Sequence, residues 1–191
     1  MLKSIKLAAA LLLLAIAAKA ETFVFTAQGF SLKAPDGWHV MAVADTVSMV
    51  EGSDFGEELK NAGNPASQLL AIVRDNPISG VSPGVFVNYH QGTISDTEVG
   101  LGRVANILER NLRQFQIIQP ATPVRLAPYE AGTIRYRYVT NSAGVDLEVI
   151  ETFWLIPDGN HYITISGGLA PEDEAAVQPM IDAMAYSMKA L

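Results

Sequence analysis

The chain is 191 residues long, contains no cysteine, and carries 20 acidic against 13 basic residues. The lack of cysteine excludes disulfides, thiolate metal sites and thiol catalysis, so packing and hydrogen bonds must hold the fold. The acidic balance argues against nucleic acids and anionic membrane surfaces as partners, because both require a basic footprint.

The first twenty residues have the order of a secretory signal peptide. Lys3 and Lys6 precede an apolar run from Leu7 to Ala18, and the segment closes on the small-residue triplet 18–20. The run is shorter than the roughly 20 residues that span a bilayer. We expect cleavage after Ala20 and a soluble periplasmic or otherwise exported protein, without membrane insertion after cleavage. An uncleaved N-terminal anchor is the alternative.

Cleavage would leave residues 21–191 as a single domain, long enough to bury one core. The first twenty residues hold three of the thirteen basic residues and none of the acidic ones, so the remaining chain has a formal net charge of −10. The simplest explanation of this negative charge is that it keeps the protein soluble. A cationic ligand or a basic protein partner is also compatible with it.

The N-terminal half predicts short strands separated by polar loops. Turn chemistry at 34–37 (APDG) separates the first strands, and the polar segments 51–66 and 75–84 are predicted to be loops. The predicted strands are 22–25, 29–33, 38–43, 68–74 and 85–90.

One helix is predicted near the middle of the chain. Ser95 or Thr97 can cap it, and Glu98 stands at the capping-box spacing from Ser95. Glu109 and Arg113 form an i,i+4 pair on its polar side. The predicted apolar stripe, with Leu101 beside it, consists of Val99, Val104, Ile107, Leu108, Leu112 and Phe115.

The C-terminal half predicts a three-stranded meander followed by a helix. Strands at 133–140, 145–156 and 161–166 are joined by turns at 141–144 and 157–160. Gly167 and Gly168 are predicted to break the third strand. Pro171 and three acidic residues then begin a helix that is predicted to run to about Lys189.

Three features of the sequence are similar to the Mog1/PsbP-like domain family. The first is the opening stretch 29–38 (GFSLKAPDGW), and the second is the order of strands, helix, meander and helix. The third is the closing stretch 163–173 (ITISGGLAPED), which leads into the last helix. The resemblance covers most of residues 22–191. It implies an α+β fold, an antiparallel β-sheet with helices packed on both faces (an α/β/α sandwich).

The resemblance also implies a protein-binding role without catalysis. Family members bind other proteins, a small GTPase in one branch and photosystem subunits in another, and the family is mainly non-enzymatic. No catalytic residues carry over from it, and the fold alone does not name a partner.

No catalytic motif or cofactor motif is present in the sequence. His39, His90 and His161 lack the spacing of a metal pair, and no nucleophile elbow or phosphate-binding loop occurs. We therefore predict that the protein is not an enzyme and holds no cofactor.

An acidic loop is the weaker of two candidate sites. Asp54, Glu57 and Glu58 cluster there, and oxygen-rich loops can bind Ca²⁺ or similar cations. The alternation of a calcium-binding loop is absent, so a solvated acidic loop is the simpler interpretation.

The second candidate site is a charged patch on the predicted meander. If residues 141–144 close the hairpin, Arg137 pairs with Glu148, and Val139 pairs with Asp146. Arg135 and Arg137 then share a strand face with the two carboxylates, and such cross-strand pairs stabilise a sheet modestly. The patch is either a register device or an anion- or protein-binding surface.

These observations support one leading hypothesis and two alternatives. The leading hypothesis is an exported, non-catalytic protein that binds another protein or assists an envelope complex. The first alternative is a small-molecule or divalent-cation-binding accessory protein. The second is an enzyme whose site is built from scattered histidines and carboxylates.

Overall fold

The structure, a computed structural model, describes residues 20–41, 68–74, 80–142 and 144–191. Residues 1–19 of the predicted signal peptide lie outside this range. The predicted loop at 51–66 also lies outside it, with the candidate cation ligands Asp54, Glu57 and Glu58.

The described residues form ten strands and two α-helices in an α+β arrangement. Their bounds are β1 (Thr22–Phe25), β2 (Phe30–Lys33), β3 (Trp38–Val40), β4 (Gln68–Arg74), β5 (Gly84–Gln91), α1 (Thr97–Asn111), β6 (Arg113–Leu126), β7 (Tyr129–Ser142), β8 (Val145–Asp158), β9 (His161–Leu169), α2 (Glu174–Tyr186) and β10 (Lys189–Ala190).

The strands form two antiparallel sheets. The larger sheet has seven strands in the order β3-β4-β5-β9-β8-β7-β6, and the smaller has three in the order β1-β2-β10. The predicted meander is the β7-β8-β9 part of the larger sheet. The long strand β6 lies at one edge of that sheet.

The larger hydrophobic core joins α2 to the seven-stranded sheet. Trp154, Ile156 and Ile165 are buried there against Ile181 of α2. A methyl group added to Gly167 would lie 2.3 Å from Cγ2 of Ile181, so the missing side chain lets the helix approach the strand closely.

The smaller core lies beneath α1. Leu101 and Ala105 pack there with Ile134, Tyr136 and Leu155. Two glycines allow this close contact: a Cβ on Gly132 would lie 2.7 Å from Leu101, and one on Gly100 would lie 2.7 Å from Leu155.

The observed α1 differs from its prediction in its cap, its end and its buried face. Asp96, rather than Ser95 or Thr97, is the N-cap, and its Oδ1 accepts a 3.0 Å hydrogen bond from the Val99 amide. The helix ends at Asn111, so Arg113 lies in β6. The buried residues Leu101 and Ala105 define the packed face, which leaves Val99 and Ile107 exposed.

Strand β6 was not predicted, and two predicted ends are wrong. Gly167 and Gly168 do not break β9, because both pair with β8 and the strand continues to Leu169. The last helix ends at Tyr186. Residues 189–190 instead pair with β2, where the Lys33 amide donates a 2.8 Å hydrogen bond to Ser187 Oγ.

Candidate functional site

An open cavity of about 470 Å³ lies where β6, β7 and β8 meet, and we call it the charged groove. It contains two of the four residues predicted for the charged patch. Its lining residues are Gln114, Phe115, Gln116, Arg137, Tyr138, Val139 and Glu148.

Arg137 is the central cation of the charged groove. Its Nε donates a 2.8 Å hydrogen bond to Gln116 Oε1, and its Nη2 donates to the same oxygen. Its Nη1 lies 3.5 Å from Glu148 Oε1, and the two side chains are 47% and 45% exposed. Arg137 therefore links β6 and β8 across β7 while remaining open to solvent.

Asp146 is held beside the groove by two partners. Arg113 donates two hydrogen bonds of 2.9 Å to its carboxylate, and Asn141 Nδ2 donates a third at 2.8 Å. The hydrogen bonds from Arg113, followed by that from Asn141, lower the pKa of Asp146 to about 2. The Asn141 side chain also accepts a 3.1 Å hydrogen bond from the Gly144 amide, which orders the hairpin end.

The predicted hairpin register is wrong by two residues. Asn141 pairs with Asp146, and Val139 with Glu148, because Ser142 and Val145 close a shorter loop than the one predicted at 141–144. A shift of two residues keeps every side chain on its predicted face. Arg137 consequently reaches Glu148 on the diagonal rather than directly opposite.

Arg135 does not belong to the charged groove. Its Nη2 donates a 2.8 Å hydrogen bond to Glu174 Oε1 at the start of α2, and its side chain is only 17% exposed. Of the predicted set, the structure brings Arg137, Glu148 and Asp146 to one region and ties Arg135 to a helix instead.

Tyr138 and Glu151 form a polar contact that the sequence analysis missed. Tyr138 lines the groove, and its hydroxyl donates a 3.2 Å hydrogen bond to Glu151 Oε2. Burial raises the pKa of the Glu151 carboxyl, although hydrogen bonds from Tyr136, Tyr138 and Ser166 oppose the shift. The sequence signal that could have revealed this contact is the single glutamate within the mostly apolar stretch 149–156.

Gln116, which lines the groove, and Arg113, which holds Asp146 beside it, were also missed. Both lie on β6, whose polar and proline-containing sequence has no strand alternation to reveal it.

The histidines lie in separate surroundings. His90 Nε2 is 3.1 Å from Thr164 Oγ1, and its ring stacks on Tyr162. His161 stacks on Tyr89 instead. Gln91, the residue after His90, is the register partner of His161, so the two histidines point to opposite sides of the sheet.

The described residues contain neither a group of metal ligands nor a membrane-spanning helix. In that part of the chain, no three His, Asp or Glu residues are grouped so that they could hold a metal ion. No helix within it is long and apolar enough to cross a membrane.

Solved structures with the same architecture identify the fold. The chain is similar to PsbP (CyanoP) from the cyanobacterium Synechocystis sp. PCC 6803, with a TM-score of 0.56 and 14% identity, over 91% of this chain and 94% of that one. The Saccharomyces cerevisiae Ran-binding protein Mog1p matches with a TM-score of 0.55 and 12% identity, over 91% and 96%.

A third similar structure is LpqN of Mycobacterium tuberculosis, described as involved in cell envelope biogenesis. It matches with a TM-score of 0.55 and 12% identity, over 89% of this chain and 84% of that one. No family model and no curated protein sequence matches the chain. The protein therefore has the Mog1/PsbP-like fold, as its sequence predicted, and identities this low define the fold alone.

Proposed function

We propose that residues 21–191 form a single exported, non-catalytic domain that binds another protein or assists an envelope complex through the charged groove. Residues 1–20 are its secretory signal, and the mature protein works in the periplasm or an equivalent space. The partner meets the groove formed by Arg137, Gln116 and Glu148.

The observation that carries this proposal is the partial exposure of a side-chain network that is already ordered. Arg137 is held by Gln116 and Glu148, yet nearly half of its side chain remains open to solvent. Groups fixed in this way lose little rotational freedom when a partner binds, which favours recognition over mere surface solvation.

The two described helices pack on separate cores of the seven-stranded sheet. Trp154 packs into the core of α2 and Leu155 into the core of α1, and neighbouring strand residues point to opposite faces of a sheet. We infer that α1 and α2 cover opposite faces, in an α/β/α sandwich. The groove lies near the β7–β8 hairpin end.

The names of similar structures point the same way. Mog1p is described as Ran-binding, and LpqN as involved in cell envelope biogenesis. Neither description specifies a catalytic activity.

The groove can be tested by site-specific photo-cross-linking in the producing cells. A photoreactive amino acid at Gln114, an exposed lining residue of the groove outside the Arg137 network, is expected to capture a partner protein, and one at Val24, an exposed position on β1, is the control. The additional Arg137→Ala substitution should abolish the adduct without shifting the melting temperature by more than a few degrees. An adduct that survives Arg137→Ala would contradict the role of the groove.

Export is tested separately with a reporter enzyme that is active only outside the cytoplasm. Residues 1–20 fused to this reporter should give activity and a processed product that begins at the first residue of the reporter. Activity without processing would instead indicate an uncleaved anchor.

A small-molecule or divalent-cation-binding role is the alternative, and the open cavity of about 470 Å³ is the observation behind it. A thermal-shift screen with metabolites and divalent cations would favour this alternative if one compound raised the melting temperature reproducibly. Cation shifts lost on Asp54→Asn, Glu57→Gln and Glu58→Gln would assign the acidic loop.

A further inference from the structure

Three buried polar atoms without a hydrogen-bond partner meet between α2 and the seven-stranded sheet. In the described part of the chain, four buried side-chain atoms lack a partner, and three of them are Arg135 Nε, Thr152 Oγ1 and Gln178 Oε1. Thr152 is 6% exposed and Gln178 is 8% exposed, so both side chains are almost shut off from solvent. Such atoms destabilise a fold and are rare in native proteins, so a group of three requires an explanation.

Arg135 and Thr152 lie in one row across the sheet, on the face that α2 covers. Arg135 of β7 is the register partner of Thr152 on β8, and Thr152 is the register partner of Gly167 on β9. Residues that are directly opposite each other in adjacent antiparallel strands share a face of the sheet. The hydrogen bond from Arg135 to Glu174 of α2 identifies this face as the one beneath the helix.

Helix α2 crosses this row and carries Gln178 over its centre. Glu174 binds Arg135 at one end of the row, where Oε1 of the glutamate lies 2.8 Å from Nη2 of the arginine. Ile181 covers Gly167 at the other end, where an added Cβ would lie 2.3 Å from Cγ2 of the isoleucine. Gln178 lies four residues after Glu174 and three before Ile181, so it shares their face of the helix. It therefore lies over the middle residue of the row.

We propose that these three atoms bind one internal water molecule between α2 and the sheet. The water accepts a hydrogen bond from Arg135 Nε, donates one to Gln178 Oε1, and pairs with the Thr152 hydroxyl, which can act as donor or acceptor. Buried waters typically make about three hydrogen bonds to groups that have no other partner, and these three atoms supply that number. The site is separate from the charged groove and concerns how α2 is held to the sheet.

The chemistry of the site selects water over an ion. The Nε of Arg135 only donates and repels a cation, and the charge of this arginine is already paired with Glu174. The Oε1 of Gln178 only accepts and repels an anion, and the 2.7 Å hydrogen bond from its Nε2 to Asp182 Oδ1 fixes the orientation of the amide. The close approach of α2 to Gly167 leaves little height above the sheet. The bound molecule must therefore be small and neutral, and must both donate and accept.

A high-resolution crystal structure of the protein tests the site directly. The expected result is one water peak within hydrogen-bond distance, about 2.7–3.2 Å, of Arg135 Nε, Thr152 Oγ1 and Gln178 Oε1. A direct hydrogen bond between two of these side chains in place of the water, an ion at this position, or the absence of any peak would overturn the proposal.

A double-mutant cycle tests the same site in solution. Thr152→Val removes the hydroxyl with little change of shape, and Gln178→Met removes the acceptor while keeping most of the side-chain volume. Thr152→Val alone should raise the unfolding equilibrium constant by about tenfold, because the two remaining atoms hold the water less well. Once Gln178→Met is present, Thr152→Val should raise that constant by less than about threefold. Fully additive effects would overturn a shared water.

Thr133→Val is the matched control. Thr133 is 7% exposed and lies two residues before Arg135, on the same face of β7, but its hydroxyl already donates a 3.1 Å hydrogen bond to the Phe153 carbonyl oxygen. Its effect on the unfolding constant should be the same with and without Gln178→Met. Coupling as strong as that of Thr152→Val would indicate a general packing effect and overturn the proposal. If the double variants fail to fold, the crystal structure of the parent protein is the deciding measurement.

Discussion

Arg113 and Asp146 form a two-bond ion pair that joins strands β6 and β8 over the intervening strand β7. Nη1 and Nη2 of the arginine each lie 2.9 Å from a separate carboxylate oxygen of the aspartate. A planar guanidinium fits a carboxylate in this paired geometry, so the contact fixes direction as well as distance. It holds the edge strand at the end of the sheet where the charged groove opens.

The Arg113–Asp146 pair should make stability depend on pH at the acidic end. The folded pKa of Asp146, about 2, lies below the unfolded value of roughly 3.9, so the carboxylate stabilises the fold above the unfolded value. This contribution is lost as the pH falls toward 2. Urea unfolding from pH 2 to 7 should show that Asp146→Asn lacks this part of the parent profile.

A double-mutant cycle checks the source of the Asp146 effect. Because Arg113 gives the largest contribution to the lowered pKa, Arg113→Ala should remove most of the same acidic dependence. Adding Asp146→Asn to Arg113→Ala should then change the profile little. Fully additive losses would show that the two side chains act independently.

Glu151 should give a pH dependence of opposite sign. Burial raises its folded pKa above the unfolded value, so its contribution is complete below about pH 4.3 and is lost as the pH rises through the folded pKa. Glu151→Gln keeps an acceptor for the Tyr138 hydroxyl and removes the charge. The variant should gain stability relative to the parent as the pH rises above about 4.3, and a constant difference in unfolding free energy would contradict this.

Gly167→Ala should destabilise the protein, whereas Gly102→Ala should stabilise it. The new methyl group at 167 would meet Ile181 at 2.3 Å, an overpacking that costs about 1–3 kcal/mol. At 102, in the exposed interior of α1, nothing lies within 4 Å, and alanine should add about 0.5–1 kcal/mol. Chemical denaturation measures both, and equal effects would contradict the close contact between α2 and β9.

Two arginines on one strand should differ in their effect on stability. Arg135→Ala removes a largely buried side chain and its bond to Glu174, at a cost of about 1–3 kcal/mol in unfolding free energy. Arg137→Ala removes an exposed ion pair and should cost about 0–1 kcal/mol. Arg135→Met, which keeps the buried stem, is the control and should cost less than the alanine variant.

The same comparison bears on the proposed function. Partner binding should fall with Arg137→Ala and survive Arg135→Met. If the two arginines affected stability equally, the assignment of Arg135 to the α2 contact and of Arg137 to the groove would be wrong.

The sequence predicted those elements whose apolar pattern and turns agree. Strands β7, β8 and β9 are rich in β-branched, aromatic and other apolar residues and are bounded by glycine and asparagine turns, so the meander was recognised. The face of α1 was harder to assign, because apolar residues such as Val99 and Ile107 occur on its outer side as well. Only contact with the sheet, through glycines 100 and 132, decides which side is buried.

The candidate site was predicted in part for a similar reason. Charge alternation on β7 and β8 identified Arg137, Asp146 and Glu148, but the partners Arg113 and Gln116 come from an edge strand. Edge strands face solvent and need no regular hydrophobic period, so their sequence does not reveal them. The Arg135 contact depends on α2 lying against the sheet, which no local pattern encodes.

The glycine contacts beneath α1 fix the position of that helix on the sheet. Leu155 of the sheet packs against the helix backbone at Gly100, and Leu101 of the helix packs against the strand backbone at Gly132. Each element therefore inserts one leucine against the backbone of the other. If the helix slid or rolled on the sheet, one of these leucines would clash with backbone atoms. An α1 held in this way cannot shift along the sheet by itself, so its outward side chains, Arg103 and Ile107 among them, keep fixed positions.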